Sequence, residues 1–534
     1  MADLPHNPRS RSVALMLVGL LAALSPAAAA PPVDADWLLT GGTLFDGSGA
    51  EGSTANIAIG DGRILAIGDF EPGVIGQTVD CQGLVICPGF IDLHSHSDKP
   101  IIDPATRANI NYLTQGCTTV VTGNCGGGHV DVATYFEQID SAGAGTNVIH
   151  LLPHGSLRSK VFGNVRRMPS ADEMAQMKKL ANDAMDDGAW GMTTGLIYTP
   201  GTYAQTDELV EIASVIGHHG GIYASHIRSE GTGLVDAVRE AIEIGRRAQL
   251  PVHISHIKAS GKDAWGGLRA AASVIQDAQA DGLTVTADQY PYIASATSLE
   301  AMVIPAWARE GGGKSLSSRL DDEILGPKLK AEIQQKRTTR NRIVIASFRE
   351  RQDWVGKDLE AIAEQEGCEE LEIIERIIRA GGAAAVSFGM NEEEVRFAMQ
   401  LPWVATASDG SAKIPTADRP HPRSFGTFTR KLGLYAIQEQ VVTLAAAIRS
   451  CSGLPADILR LNDRGYLRTG YVADLAVFDP RELKDLATFD EPYRYSTGIK
   501  YVFVAGKPAV YQGTPTGLLA GRALRHECSG RPDP

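Results

Sequence analysis

The sequence predicts an α/β protein: a (β/α)8 barrel of the TIM type, with a small β-sandwich drawn from both termini and a largely helical insertion after the seventh strand. Three observations lead there. Eight apolar, strand-like runs alternate with helix-patterned segments between residues 89 and 409. The ends of those runs carry His, Cys and Asp side chains, and the active site of such a barrel forms at the carboxyl ends of its strands. Short β-type runs cut by Gly and Asp bracket the whole at either end.

Length and charge set the frame. At 534 residues the chain is longer than one core supports, which favours a large domain with a smaller unit. Hydrophobic residues at 43% and charged residues at 21% are ordinary for a globular protein. The net charge is −13, with no Lys/Arg run long enough to track a phosphate backbone, so nucleic acid is not an expected partner. Nothing in the sequence sets an oligomeric state. The seven cysteines are too few and too scattered for a disulfide framework, and an odd one needs another reason to persist.

Residues 1–30 read as a signal peptide. Arg9 and Arg11 precede the twelve apolar residues VALMLVGLLAAL, and SPAAAAPP follows, with cleavage expected near Ala30. A spanning helix needs about 20 apolar residues, so the mature chain is expected to carry no stable membrane span. Export, to the periplasm of a bacterium, follows from that reading.

Residues 31–87 are the first part of the β-sandwich, with "GDGR" between two alternating runs as a hairpin signal. Residues 451–534 supply the second part, through GYVADLAVFDP and STGIKYVFVAGKPAVYQG. The barrel occupies 88–450. Its strands are read at 89–96, 118–126, 147–155, 189–196, 221–229, 251–258, 283–292 and 403–409. Helical patterns such as ADEMAQMKKLANDAMDDG and GLVDAVREAIEIGRRAQ lie between them, with glycine near the stops. Residues 293–402 break the spacing and are read as a helical insertion packed near the mouth.

Side chains in a strand alternate faces, so His94 and His96 in "GFIDLHSHSDKP" point the same way and make half a metal site. Cys125 ends the second strand, His226 the fifth, His256 the sixth and Asp409 the eighth, which completes a set of six metal-capable side chains on one face. Imidazoles with one thiolate and one carboxylate suit zinc better than magnesium or calcium. Zinc with an open position activates water and polarises a carbonyl, and Asp409 in "ASDGS" is the candidate to move protons; its other reading is a turn aspartate before glycine. Arg228 and Lys258 each lie two residues after a histidine and would reach toward the mouth, which suggests an anionic substrate. Arg228 has a second reading, a pair with Glu230. Asp288, Tyr290 and Tyr292 of "DQYPY" share one parity, and the tyrosines supply hydroxyls or wall packing. His253 has the opposite parity to His256 and reads as structural.

The motifs PGFIDLHSHSD, TTVVTGNCG, GLIYTPG, SHIRSEG, ISHIKASG, DQYPY, ASDGS and HPRSFGTF together resemble the amidohydrolase superfamily, and within it the D-aminoacylase (N-acyl-D-amino-acid deacylase) family. The fourth strand, AWGMTTGL, has no lysine to bridge two metals, in agreement with that family, where the second-strand cysteine takes part instead. The resemblance implies that Cys125, His226 and His256 hold one tight zinc. His94, His96 and Asp409 would form a neighbouring, more weakly filled position. It also implies that Lys258, Tyr290 and Arg423 meet the substrate carboxylate and that Tyr198 lines the acyl side. Ile257 stands where a second histidine is common, and is expected to face away from the metal.

The expected activity is zinc-dependent hydrolysis of the amide of N-acyl-D-amino acids, a D-selectivity that rests on the resemblance alone. Hydrolysis of another amide, a cyclic ureide such as hydantoin or a dipeptide, is the alternative, opposed by the carboxylate-binding trio. A non-catalytic binding barrel is a third, opposed by the intact ligand set.

Overall fold

The structure is a computed structural model and describes residues 31–339 and 342–527; the signal-peptide reading and Cys528 lie outside the described residues. Eight parallel barrel strands run in sequence order. They are Phe90–Asp92, Cys117–Thr122, Asn147–His150 continuing in Leu152–Pro153, Gly191–Gly195, Ile222–His226, Val252–Ile254, Val285–Gln289 and Val404–Thr406. Each pairs in parallel with its neighbour, and a parallel bridge between Ser95 and Gly410 joins the eighth strand back to the first.

The alternation of side chains explains why these short runs make a wall. Phe90, Val120, Val148, Met192, Tyr223, Val252, Val285 and Val404 pack with helix residues such as Met177, Leu209, Val238 and Ala271 in the largest core. The adjacent residues Ile91, Val121, Ile149, Ile222, Ala224 and Ala405 form a separate core that fills the other face. Such runs are buried on both sides, which is why they read as continuous apolar stretches.

The small unit is one continuous nine-stranded sheet. Its strand Val33–Leu44 is long and bulged between Leu39 and Gly42, pairing with Ser53–Gly60 on one side and with Pro72–Asp80 and Val85–Pro88 on the other. Leu475–Phe478 then pairs with Val85–Pro88, which ties the two ends of the chain together. The "GDGR" signal is a hairpin turn with φ of 51° at Asp61 and 76° at Gly62, the left-handed pair that a tight two-residue loop requires.

Three features differ from the sequence reading. Most strands are shorter than read, the first ending at Asp92 and the sixth at Ile254, because the chain turns as soon as it leaves the wall. Helices Leu444–Cys451 and Gly453–Leu459 pack against the first strand, so the β-rich part resumes only at Leu475 rather than at 451. The insertion is mainly helical, but the β-branched run Arg342–Ser347 and Ala384–Phe388 join Ser295–Ser298 in a three-stranded antiparallel sheet with its own core. No helix among the described residues is long and apolar enough to cross a membrane.

The C-terminal stretch returns to the amino ends of the third and fourth barrel strands, opposite the site. Val148 N–H donates to Arg522 O at 2.9 Å, Leu524 N–H to Val148 O at 2.8 Å, and the Trp190 indole to Leu524 O at 2.7 Å. A Cβ on Gly521 would stand 2.0 Å from Thr146 O. Gly521→Ala is expected to lower stability by roughly 1–3 kcal/mol in thermal melts, with metal content unchanged; a melt identical to wild type would remove this stretch from the folded core.

Candidate metal centre

Cys125 lies in the turn Asn124–Gly126 that follows the second strand. The turn is fixed from several sides: Gly123 N–H donates to Asp98 Oδ1 at 2.7 Å, the Asn124 amide to Val121 O at 2.9 Å, and Gly126 N–H to Thr193 Oγ1 at 3.1 Å. Cys125, His256 and Asp409 have φ of 53°, 37° and 49°. A non-glycine residue in this left-handed region is strained by about 1–3 kcal/mol, and such strain gathers where a side chain must be aimed. All three positions lie beyond their strands, which end at Thr122, Ile254 and Thr406, so strand alternation does not reach them.

Four donors converge there. Cys125 Sγ is 3.3 Å from His94 Nε2, 3.4 Å from His226 Nδ1 and 3.6 Å from His256 Nε2. A tetrahedral zinc site sets sulfur and nitrogen ligands about 3.6 Å apart, given bonds of about 2.3 and 2.0–2.1 Å. Asp409 Oδ1 stands 3.7 Å from His94 Nε2 and 3.0 Å from His96 Nε2. The donor atoms fall into the sets Cys125–His226–His256, His94–His96–Cys125 and His94–His256–Asp409, each within 4.8 Å. Burial pushes the Cys125 thiol well above its ordinary range, pulls His94 down to about 4 and holds His226 well below its usual value. Sulfur and nitrogen donors gathered this closely, with the imidazoles of His94, His226 and His256 buried, suit a cation.

Charged groups surround the donors. Burial opposes ionisation of Asp409, but Arg423, His256, His96 and His94 together hold its carboxyl well below the usual range; Arg423 Nη1 is 2.7 Å from Asp409 Oδ2. Asp288 accepts from the His256 N–H at 2.7 Å, lies 2.7 Å from His253 Nε2, and stands 3.7 Å from His94 Nδ1. His253, read as structural, thus braces an acid that faces a candidate ligand. Glu230 contacts Lys258 Nζ and lies 3.0 Å from His256 Nδ1. Burial opposes its ionisation too, and Lys258 with the two histidines holds the carboxyl far below its usual range.

The candidate substrate groups divide. Tyr290 has Lys258 Nζ 5.5 Å and Arg423 Cζ 5.0 Å from its ring centre, and its buried hydroxyl has no partner. Tyr198 meets His226 edge-on at 5.0 Å and its hydroxyl is 3.0 Å from Thr297 Oγ1 of the insertion. Arg228 does not join them. It makes a two-pronged pair with Glu240 at 2.8 Å, donates to Thr202 O and Ala204 O, and lines a separate cavity of about 660 Å³ with Arg166 and Arg167. The fifth strand stops at His226, so the parity that pointed Arg228 at the mouth does not extend to it. Ile257 packs in the helix-facing core, away from the cluster as expected. Sequence reasoning missed Glu230 as part of the site; its signal was an acid four residues after His226 in SHIRSEG. His96, with 38% of its side chain exposed, opens the cluster to a cavity of about 510 Å³ lined by Asp98, Lys99, Gly127, Gly128, His129 and Ser156.

A parallel barrel with imidazoles, a thiol and a carboxylate gathered at the carboxyl ends of its strands defines a metal-dependent barrel hydrolase. The sequence matches the amidohydrolase family over residues 77–510. It is 34% identical to a D-aminoacylase of Alcaligenes xylosoxydans xylosoxydans, over 92% of this chain and 97% of that one. The solved structure of a D-aminoacylase with a binuclear metal centre superposes with a TM-score of 0.80 at 32% identity, covering 92% of this chain and 100% of the other. An N-acyl-D-glutamate deacylase of Bordetella bronchiseptica, complexed with zinc and a phosphonate inhibitor, gives 0.79 at 32% identity with the same coverage. The chain belongs to the amidohydrolase family, in its D-aminoacylase branch.

A Cβ on Gly195, at the end of the fourth strand, would lie 2.1 Å from the Cys125 carbonyl oxygen, so this glycine admits the strained turn. Gly195→Ala is expected to displace Cys125 and cut metal content to well under half of wild type in a metal assay; full occupancy would show the turn tolerates the change.

Proposed function

We propose that the protein hydrolyses the amide bond of N-acyl-D-amino acids to a carboxylate and a free D-amino acid. Cys125, His226 and His256 would hold the tight zinc ion, with His94, His96 and Asp409 forming the neighbouring, weaker position. The observation that carries this reading is one thiol within 3.6 Å of three imidazole nitrogens beside an arginine-held carboxylate. The named substrates of the relatives supply the acyl and D-amino-acid parts.

When bound, the metal ion supplies a Lewis acid and lowers the pKa of water. The residues of the chain do the rest. Asp409, kept ionised by Arg423, takes a proton from the attacking water and delivers it to the nitrogen as the carbon–nitrogen bond breaks. Lys258 and Arg423, paired with Glu230 and Asp409, flank the Tyr290 ring, and the free Tyr290 hydroxyl is a donor for a carboxylate oxygen. Tyr198 lines the acyl side against Thr297. Relatives named for N-acyl-D-amino-acid substrates favour the anionic class over a neutral ring such as hydantoin. Arg228, bound to Glu240, has no part in this reading.

Cys125→Ala is expected to abolish tight zinc binding, whereas Asp409→Ala should retain zinc and lose about 10²–10⁴ in kcat. Zinc retained in the first, or near-normal turnover in the second, would reverse these assignments. Paired N-acetyl-D- and N-acetyl-L-amino acids, with hydantoin as a third substrate, test the class directly.

We also infer export, supported by the Arg9/Arg11, apolar and alanine-rich order of residues 1–30. Amino-terminal sequencing of protein from a periplasmic extract should begin near residue 31, and an intact Met1 there would contradict it.

A further inference from the structure

His226 and His256 face Cys125 through different nitrogens. His226 presents Nδ1 to the sulfur at 3.4 Å and turns Nε2 toward Glu230 Oε1 at 3.7 Å, an electrostatic contact longer than a hydrogen bond. His256 does the reverse, with Nε2 3.6 Å from the sulfur and Nδ1 3.0 Å from the same Glu230 oxygen. The two rings meet edge to face, 4.3 Å between centres, with one carboxylate oxygen behind both.

A ligating imidazole is neutral, with its lone pair on the ligating nitrogen and its hydrogen on the other. Which nitrogen keeps the hydrogen depends on what stands behind the ring. A carboxylate only accepts, so Glu230 favours N–H at His226 Nε2 and His256 Nδ1 and leaves both lone pairs facing the Cys125 position. Lys258 favours the opposite. Its Nζ is 2.7 Å from His256 Nδ1, and an ammonium only donates. A bond there would claim the Nδ1 lone pair and send the hydrogen to Nε2, against the metal position. Glu230 resolves the conflict by accepting from Lys258 itself, while Lys258 also donates to His256 O at 2.6 Å.

On the reading that Cys125, His226 and His256 hold the metal, we propose that Glu230 is a positioning residue: it favours the ligating tautomer of both histidines and offsets the pull of Lys258 on His256 Nδ1. It acts through the ligands and need not touch substrate. One acid thereby lets the chain keep a substrate-binding ammonium beside a metal-binding imidazole.

Zinc affinity measured by chelator competition, without substrate, tests this. Glu230→Ala and Glu230→Gln are each expected to weaken zinc about 10–100-fold. Adding Lys258→Met to Glu230→Ala should recover most of that loss, because the competing donor is gone; a merely structural role for Glu230 would show no such recovery. Wild-type zinc affinity in both single variants, or no recovery in the double variant, overturns the proposal. A wild-type protein that binds no zinc would overturn the parent reading instead, so the two failures are distinguishable.

Discussion

One thiol within 3.6 Å of three buried imidazole nitrogens is the arrangement on which the site depends, and much of the structure serves it. Three of the six candidate ligands sit on left-handed backbone. Natural chains tolerate such strain where surrounding bonds over-determine the geometry, and here the turn at Cys125 is tied to Asp98, Val121 and Thr193. The barrel supplies the rigidity: short parallel strands buried on both faces end together on one side, and the reactive side chains occupy the turns just beyond them.

Around this centre, carboxylates and cations are matched with little redundancy. Asp409 meets Arg423, Glu230 meets Lys258, and Asp288 meets His253 and the His256 backbone. In each pair one member faces the donor cluster. Buried charges of this kind persist only when paired, which makes the site a coupled unit. The insertion reaches it: Ala296 O accepts from Arg423 and Thr297 meets Tyr198, so the sheet that begins the insertion packs beside the cluster. The side at His96 remains the most open.

Much of this was legible in the residues. The HxH pair, the GNC turn, the two SHI motifs and ASDGS are short and local, and metal ligation selects residue type so strictly that their spacing alone pointed to a cluster. The barrel was legible because its strands are apolar on both faces and regularly spaced. Arg228 was misread because alternation holds only while the chain is extended, and the fifth strand ends at His226. Glu230 went unassigned because its partner Lys258 comes from the next strand's loop, a pairing that periodicity along one strand does not encode. The small sheet within the insertion hid among longer helices, its strands too short to show a period.

The sequence by itself determined the architecture, the candidate donor types and the family, because apolar periodicity and donor chemistry are written in residue identity and short spacings. Only the tertiary structure decided which nitrogen each histidine turns inward, which acid braces which cation, and that Arg228 serves the wall beside the mouth. Those choices depend on contacts between loops of different strands and on left-handed turns, where a local pattern no longer says which way a side chain points.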